Sequence, residues 1–510
     1  MSQVSPSTSY DYIIVGAGSA GCVLANRLAV HAGTEVLLLE AGEPDEKKEI
    51  HVPLLWWWLP HSDVDWGYST VPQPGLNGRV DQWPRGRTLG GSSAINAMMY
   101  IRGNPWDYDR WERLGNDGWS YDDLLPFFKR AEDFEGGESE FHGAGGPLGV
   151  ARADSPIGPS RALVKAAQEV GFEYNDDFNA MQQAGVGPLH LTAADDQRQS
   201  TAISYLHPVL DRENLTAKTG AHVTRILFEG KRAAGVEYEQ DGNRESVSAT
   251  AEVLLSAGAI ESPKLLMLSG VGPEEELARH GIDCLVNRPG VGGNLQDHVQ
   301  AGIGYECTES VSYPPGSNGI ENTAFERTTP NLPAPDVQYI LWPTEAALDP
   351  HHGSSNLSIT VIVLRPHSRG KITLRSDDPL DHPVIDPQYF SEHRDLDTLV
   401  TGVQRAREIL AASALDAYRG DELAPGEAVT TDEGLTEYVR QRASTIYHPV
   451  GTCKMGNDAL AVVDDRLRVH GLKGLRVVDA SIMPRITSGN TNAPTIAIAE
   501  RAADMIKAHA

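Results

Sequence analysis

The sequence predicts a mixed α/β fold, with a parallel-sheet unit at its start and, later in the chain, an antiparallel sheet flanked by helices. Three observations carry that expectation. The apolar run Tyr12-Ile13-Ile14-Val15 enters Gly16-Ala17-Gly18-Ser19-Ala20-Gly21, after which Val23, Leu24, Ala25, Leu28 and Ala29 recur at helical spacing: strand, tight turn, helix. Asp336-Val337-Gln338-Tyr339-Ile340 and Leu357-Ser358-Ile359-Thr360-Val361 alternate as strands do, and 395 to 413 reads as an amphipathic helix. With 510 residues and 40% hydrophobic content, the chain can bury a large core divided into two or three structural units.

Each early element has a physical reason. Gly16 permits the turn, Gly18 removes the side chain that would block a pyrophosphate, and Gly21 lets helix and strand pack closely, so that the helix N-terminus faces phosphates. Val36-Leu37-Leu38-Leu39 is the second strand, and Glu40 at its end sits where a carboxylate accepts hydrogen bonds from adenosine ribose hydroxyls. A glycine turn that merely packs does not account for Glu40, which also disfavours a phosphorylated ribose. The fingerprint leaves NAD and FAD both open. Downstream, Val52-Pro53-Leu54-Leu55-Trp56-Trp57-Trp58-Leu59-Pro60 is too short to span a bilayer and is bounded by proline, so no transmembrane segment is expected. In Arg85-Gly86-Arg87-Thr88-Leu89-Gly90-Gly91-Ser92-Ser93-Ala94-Ile95-Asn96, a glycine pair beside small hydroxyl residues lets backbone approach a flat ligand.

Composition excludes several partners. Seventy acidic against 43 basic residues give a formal charge of -27, which repels nucleic acid and anionic membrane surfaces. The basic residues are 11 Lys against 32 Arg, and an acidic, Lys-poor surface is what a halophilic protein needs; an acidic enzyme from a GC-rich genome is the plain alternative. Cys22, Cys284, Cys307 and Cys453 are widely spaced with no C-x-x-C pair, which argues against a zinc site or a disulfide framework. The first nine residues have neither a positive cluster nor an apolar core, so a cytoplasmic location is expected.

The Arg85–Asn96 segment and Gly258-Ala259-Ile260-Glu261-Ser262-Pro263-Lys264-Leu265-Leu266-Met267-Leu268-Ser269-Gly270-Val271-Gly272 resemble, nearly position by position, the two long motifs of the glucose-methanol-choline (GMC) oxidoreductases, FAD enzymes that oxidise alcohols. The resemblance continues through Gly290–His298, Arg365–Gly370, Tyr447-His448-Pro449-Val450-Gly451 and Ser488-Gly489-Asn490-Thr491-Asn492-Ala493-Pro494. It is strongest to the bacterial and archaeal choline and alcohol dehydrogenase branch, through Tyr100–Asn104 and Gly118–Leu125. The resemblance implies a Rossmann-like FAD-binding region at 10–305 with substrate-side segments inserted at about 105–210. It further implies a substrate-binding region at 306–445 and a C-terminal return at 446–506. Gly16, Gly18, Gly21 and Glu40 match the ADP site; Val223 matches the position whose backbone meets adenine. Gly90, Gly91, Ser92, Asn96 and Ala97 match the loop along the flavin, Asp479 and Ala480 the strand that holds the ribityl and pyrophosphate portion, and Asn492 and Pro494 the turn at the pyrimidine edge. Where some members carry a flavin-linked histidine this chain has Ile95, so FAD is expected to be non-covalent.

Oxidising an alcohol requires a base for the hydroxyl proton and an acceptor for the α-hydrogen, and imidazole suits the first task because it titrates near neutrality. His448 matches the family's base, and Asn490 its partner, an amide that hydrogen-bonds the substrate oxygen without taking the proton. Expected, therefore, is oxidation of a primary alcohol to an aldehyde, with the electron acceptor (a quinone, an artificial acceptor or O2) and the oligomeric state left open. Choline oxidation, sugar oxidation and hydroxynitrile cleavage are the alternatives within the family, and a flavin-binding protein without catalysis the alternative outside it. Choline-oxidising relatives surround a trimethylammonium group with aromatic faces and a carboxylate, and Trp56, Glu321 and Tyr447 match those places approximately. Trp56-Trp57-Trp58 also suits an apolar wall for an alkyl or aryl alcohol, and Glu321 a loop anchor. His298, His351, His352 and His367 read as structural, Cys453 as packing near the base, and no metal site is expected.

Overall fold

In the computed structural model, residues 9–153, 157–344 and 355–508 are described; the first eight residues and the His351-His352 pair lie outside them. Two seven-stranded sheets organise the molecule. In the first, Ser9–Val15 is central, parallel to Val36–Leu39 on one side and to the end of Asn243–Leu255 on the other. Leu215–Lys218 extends the sheet beyond Val36–Leu39, and Leu475–Val477, from near the end of the chain, runs parallel to Val253–Leu255. Ile13, Ile14, Leu37, Leu38, Val253 and Leu254 are all buried, as strands covered on both faces must be. The register brings Val15 level with Leu39 and Leu255, and Leu255 level with Val477, so the residues that follow these strands form one carboxyl edge. That edge is where open parallel sheets bind ligands.

The helix Gly21–Leu28 lies tight on this sheet because Gly21 has no side chain: a Cβ there would stand 1.8 Å from the Gly16 carbonyl oxygen. The last helix, Asn492–Lys507, packs against both Gly21–Leu28 and Tyr121–Ala131. Glu500, at its centre and fully buried, accepts from Arg27 Nη2 at 2.7 Å, Arg130 Nε at 2.8 Å and Tyr205 Oη at 2.9 Å. One carboxylate thereby ties the end of the chain to its beginning.

The second sheet is antiparallel, in the order Arg419–Ala424, Val299–Cys307, Asn356–Val363, Val337–Thr344, Asn322–Glu326, Gly185–Pro188, with Ser444–Thr445 also paired to Val299–Cys307. Its two faces follow the strand period of two. Val337, Tyr339 and Leu341 pack in the cluster that holds Leu396, Leu399, Val403, Ala406 and Leu410 of the helix His393–Ala411, while Ile340 joins Met99, Ile101 and Ile320 on the opposite face. The helix rides close: a Cβ on Gly402 would come within 2.4 Å of Val361 Cγ1. Each fully buried leucine on it, Leu399 and Leu410 among them, stabilises the packing by ~1.5–3 kcal/mol. Between the carboxyl edge of the first sheet and the Ile340 face of the second runs a single elongated cleft.

Candidate active site

One end of the cleft is built at the carboxyl edge. Gly16 holds φ +95°, and its neighbour Ala17 donates its backbone N–H to Glu40 Oε2 at 2.8 Å, while Gly42 N donates to Oε1 at 2.8 Å. Burial pushes the Glu40 carboxyl up to about 7, and each oxygen keeps acceptor capacity toward the cleft it lines. Gly18, Ser256 and Val223 share that wall. A Cβ on Gly18 would meet nothing nearer than Gly91 Cα at 4.0 Å, so the absence of a side chain leaves room for an occupant rather than for protein. Gly21 and Gly90 stand one layer back: Gly21 seats the helix, and Gly90 N donates to Ala17 O at 2.8 Å.

Further along, Gly91, Ser92, Asn96 and Ala97 line the cleft beside Ile95. Arg198, buried and without a carboxylate partner among the described residues, locks that loop by donating to Asn96 O at 2.6 Å, Asn96 Oδ1 at 2.8 Å and Ile50 O at 2.6 Å. Burial lowers its pKa to about 9. Opposite, Asp479 accepts from Gly258 N at 2.9 Å, Ser262 Oγ at 2.6 Å and Ser481 N at 2.8 Å, and Asn492 Oδ1 accepts from Ser19 Oγ at 2.7 Å. Ala480 and Asn492 face the cleft; Pro494 is buried in the first turn of the last helix. Ser256 Oγ and Asn490 Oδ1 are buried cleft atoms with no hydrogen-bond partner among the described residues. These two residues, 234 positions apart, line one channel that begins at Glu40 and the glycine turn, and their unsatisfied polar atoms fit a dinucleotide laid along it.

At the other end stand His448 and Asn490. The backbone pairing of Gln296 with Val450, at 3.0 and 2.9 Å, lays the segment around His448 against Leu295–Val299. Tyr447 is held in the left-handed region, φ +68°, where its N–H donates to Thr445 Oγ1 at 2.6 Å and its carbonyl accepts from Arg85 Nη2 at 2.7 Å. His448 N donates to Asp297 Oδ1 at 2.9 Å. Asn490 is carried by a loop fastened at Ser488, whose N–H donates to Asp107 Oδ2 at 2.7 Å, whose Oγ donates to Asp107 Oδ1 at 2.9 Å, and whose carbonyl accepts from Gln183 Nε2 at 2.5 Å. Asp107 also closes the capping box with Asn104 that starts the helix Pro105–Arg113.

A chain of hydrogen bonds fixes the protons. His298 Nε2 faces the Leu364 carbonyl at 3.1 Å, an acceptor only, so that nitrogen carries a proton. Burial lowers His298 to about 4, so its ring is neutral and Nδ1 accepts, 2.9 Å from His448 Nδ1. His448 must therefore be protonated at Nδ1, leaving the lone pair on Nε2, which accepts from Asn490 Nδ2 at 3.1 Å. Burial first, then His298 and the Arg85 guanidinium, hold His448 well below the ordinary histidine range. His448 is thus a neutral base at neutral pH, with its Nε2 lone pair in the cleft and engaged by the Asn490 amide.

His298 reads as structural in sequence, and it is buried, yet it sets the tautomer of the base. Its place, with its carbonyl accepting from Ile446 N at 3.0 Å, is a long-range pairing that no local pattern reveals. Of the substrate-side residues, Trp56 and Tyr447 line the cleft, but Glu321 does not: its carboxylate accepts from Ser317 Oγ at 3.0 Å and Ser160 Oγ at 3.3 Å. Trp57 stacks between Trp56 and Trp342, with ring centroids at 4.1 and 5.1 Å, and Trp58 is exposed, so a single tryptophan of the three reaches the site. Cys453 is buried, and burial with Asp479 raises its thiol well above the usual range, which suits packing rather than nucleophilic attack.

Comparison with known proteins places the chain in a family. The GMC oxidoreductase family model matches in two parts, its N-terminal region over residues 10–300 and its C-terminal region over 366–499. Choline dehydrogenase of Mus musculus mitochondria is 43% identical, covering 98% of this chain and 90% of its own. An alcohol dehydrogenase [acceptor] of Pseudomonas putida is also 43% identical, over 98% and 95%. Among solved structures, pyridoxine 4-oxidase from Mesorbium loti superposes with a TM-score of 0.93 at 36% identity, covering 98% of this chain and all of that one.

Proposed function

The chain belongs to the GMC oxidoreductase family, an enzyme family acting on CH–OH groups, and on that premise we propose that it oxidises a primary alcohol to the aldehyde with non-covalently held FAD, His448 serving as base and Asn490 as its partner. The observation that carries this reading is the unprotonated Nε2 of a neutral, buried His448, paired among the described residues only with the Asn490 amide in the cleft. A hydroxyl entering between them would donate to Nε2 and accept from Asn490 Nδ2, replacing the direct amide–imidazole bond. As the hydroxyl proton moves to Nε2, the Asn490 amide stabilises the charge growing on oxygen, a donor preset where that charge develops. The low pKa of His448 keeps the base free at neutral pH but makes it a weak one, so Asn490 and the departure of the α-hydrogen must drive the transfer together. Bound FAD supplies the hydride acceptor. Glu40, Asp479, Asn492 and the Gly91–Ala97 loop would hold it, and Ile95, which offers no nucleophile, supports a dissociable cofactor.

Relatives at 41–44% identity are named both as an alcohol dehydrogenase [acceptor] and as oxygen-dependent choline dehydrogenases, so their names do not choose between O2 and another electron acceptor. All four cysteines are unpaired, with Cys284 exposed, which supports a reducing, cytoplasmic setting; the acidic surplus supports a salt-rich one. No helix among the described residues is long and apolar enough to cross a membrane. The test is anaerobic mixing of the FAD-loaded protein with primary alcohols while the oxidised-flavin absorbance is followed. Bleaching is expected, slowed about 10²–10⁴-fold by His448→Ala at unchanged FAD content. Flavin that stays oxidised with every alcohol while a cyanohydrin is cleaved would overturn the reading. Admitting air separates oxidase from dehydrogenase.

A further inference from the structure

Resting on the alcohol-oxidising reading, we infer that the substrate is a neutral primary alcohol bearing a bulky apolar alkyl or aryl group, not a quaternary ammonium alcohol. Around His448 and Asn490 the cleft wall consists of Trp56, Met99, Ile320, Ile340, Ile446 and Tyr447. Ile340 and Ile320 present apolar side chains there because the strand period turns Tyr339 and Leu341 to the helix side. The indole N–H of Trp56 is committed to Asn318 O at 2.9 Å, so an occupant meets its ring alone.

The carboxylates of the cleft belong to its other end. Glu40 follows the second strand and Asp479 the last one, while Glu261 is paired with Lys264 at 3.1 Å and Tyr68 Oη at 2.6 Å. Glu321, directly after Ile320, points away into a buried knot with Ser317 and Ser160, and Asn322 Nδ2 donates to the same Ser160 Oγ at 2.6 Å. Two formal charges stand beside the base: Asp297, whose carboxylate accepts from His448 N at 2.9 Å and from Tyr389 Oη and does not line the cleft, and Arg85, which does line it, lowers the His448 pKa and repels another cation in the same space. A trimethylammonium group would be stripped of water here with aromatic faces alone to offset it, and cation–π contact returns part of that cost only. An apolar group gains by the same transfer.

Two ligand pairs test this on the intact FAD-loaded enzyme. Choline and neohexyl alcohol share a shape and differ in charge; their gem-dimethyl carbinol analogues lack the α-hydrogen and cannot be oxidised, so they report binding alone, by calorimetry. The expected result is a kcat/KM for neohexyl alcohol at least about tenfold above choline, with the neutral carbinol binding tighter than the cationic one by a similar factor. Preference for the cation in either pair, or binding of neither carbinol, overturns the inference. Selective binding of the neutral carbinol without flavin reduction by any primary alcohol would uphold the apolar site and overturn the oxidation reading instead.

Discussion

At the residue scale the site depends on where one proton sits. His448 presents Nε2 to the cleft because His298 accepts from its Nδ1–H, and His298 can do so because Leu364 holds its own proton at the far nitrogen. His298→Phe removes that acceptor without adding charge; kcat should fall by about tenfold or more while KM and FAD content hold. His298→Gln, which can still accept, should recover part of the loss. An equal fall in FAD content in both variants would mark His298 as merely structural. The active form of His448 is the neutral one, and its pKa is held below 6.5, so kcat/KM should stay level through neutrality and fall only as pH drops below the ordinary histidine range. A limb above pH 6.5 that vanishes in His448→Ala would contradict this. His448 and Asn490 are legible in sequence because each stands inside a short contiguous motif. His298 and the diversion of Glu321 are not, since His298 answers to Leu364 and His448, and Glu321 to Ser160 as well as the nearby Ser317, pairings that adjacent residues do not announce.

At the element scale, local spacing foretells the glycine turn, the parallel strands, the alternating strands and the helix His393–Ala411, since each repeats its signal over adjacent residues. What local spacing does not foretell is how distant loops lock together behind the Asn490 loop. Arg102 Nη2 donates to Glu132 Oε2 at 2.7 Å with both side chains fully buried, and His142 bridges Glu132 and Asp177 at 3.0 Å on either side. Asn179 Oδ1 accepts from Arg102 N at 2.8 Å, and Gln183 of the same loop reaches Ser488. Burial pulls His142 down, but the hydrogen bonds to Asp177 and Glu132 outweigh it and raise its pKa. Burial pushes Asp177 up, but His142 outweighs it and brings the carboxyl to about 2; His142 and Arg102 likewise lower Glu132. The histidine contribution is complete below its unfolded value of 6.5 and is lost as pH rises through the raised one. The carboxylate contribution is complete above the unfolded values of 3.8 and 4.5 and is lost as pH falls through the lowered ones. Wild-type Tm minus His142→Gln Tm should therefore be largest between about pH 4.5 and 6.5 and shrink on both sides. A flat difference would show that the network does not titrate. Glu132→Gln, which strands a buried guanidinium, should cost about 3–5 kcal/mol.

At the scale of the whole molecule, a formal charge of -27 makes the folded chain repel itself, and added salt screens that repulsion within a Debye length of about 10 Å at 0.1 M. Tm should rise with KCl well past that concentration if the acidic surface is a salt adaptation; a Tm that falls steadily as KCl is added would rule it out. The mixed α/β class is legible from composition and periodicity, but the sheet order is not, because Leu475–Val477 joins a sheet whose other strands end by residue 255. That late strand, together with Glu500 and the two residues proposed to flank the substrate oxygen, sets a schedule for biosynthesis. A ribosome still translating residue 445 has exposed the glycine turn and Glu40 but neither Asp479 nor His448, so on the proposed reading the nascent protein lacks both part of the cofactor site and the base. A chain stopped at 445 should retain no FAD through desalting. On that reading the chain gains its chemistry only when its synthesis is nearly complete, and a flavin would enter a finished protein.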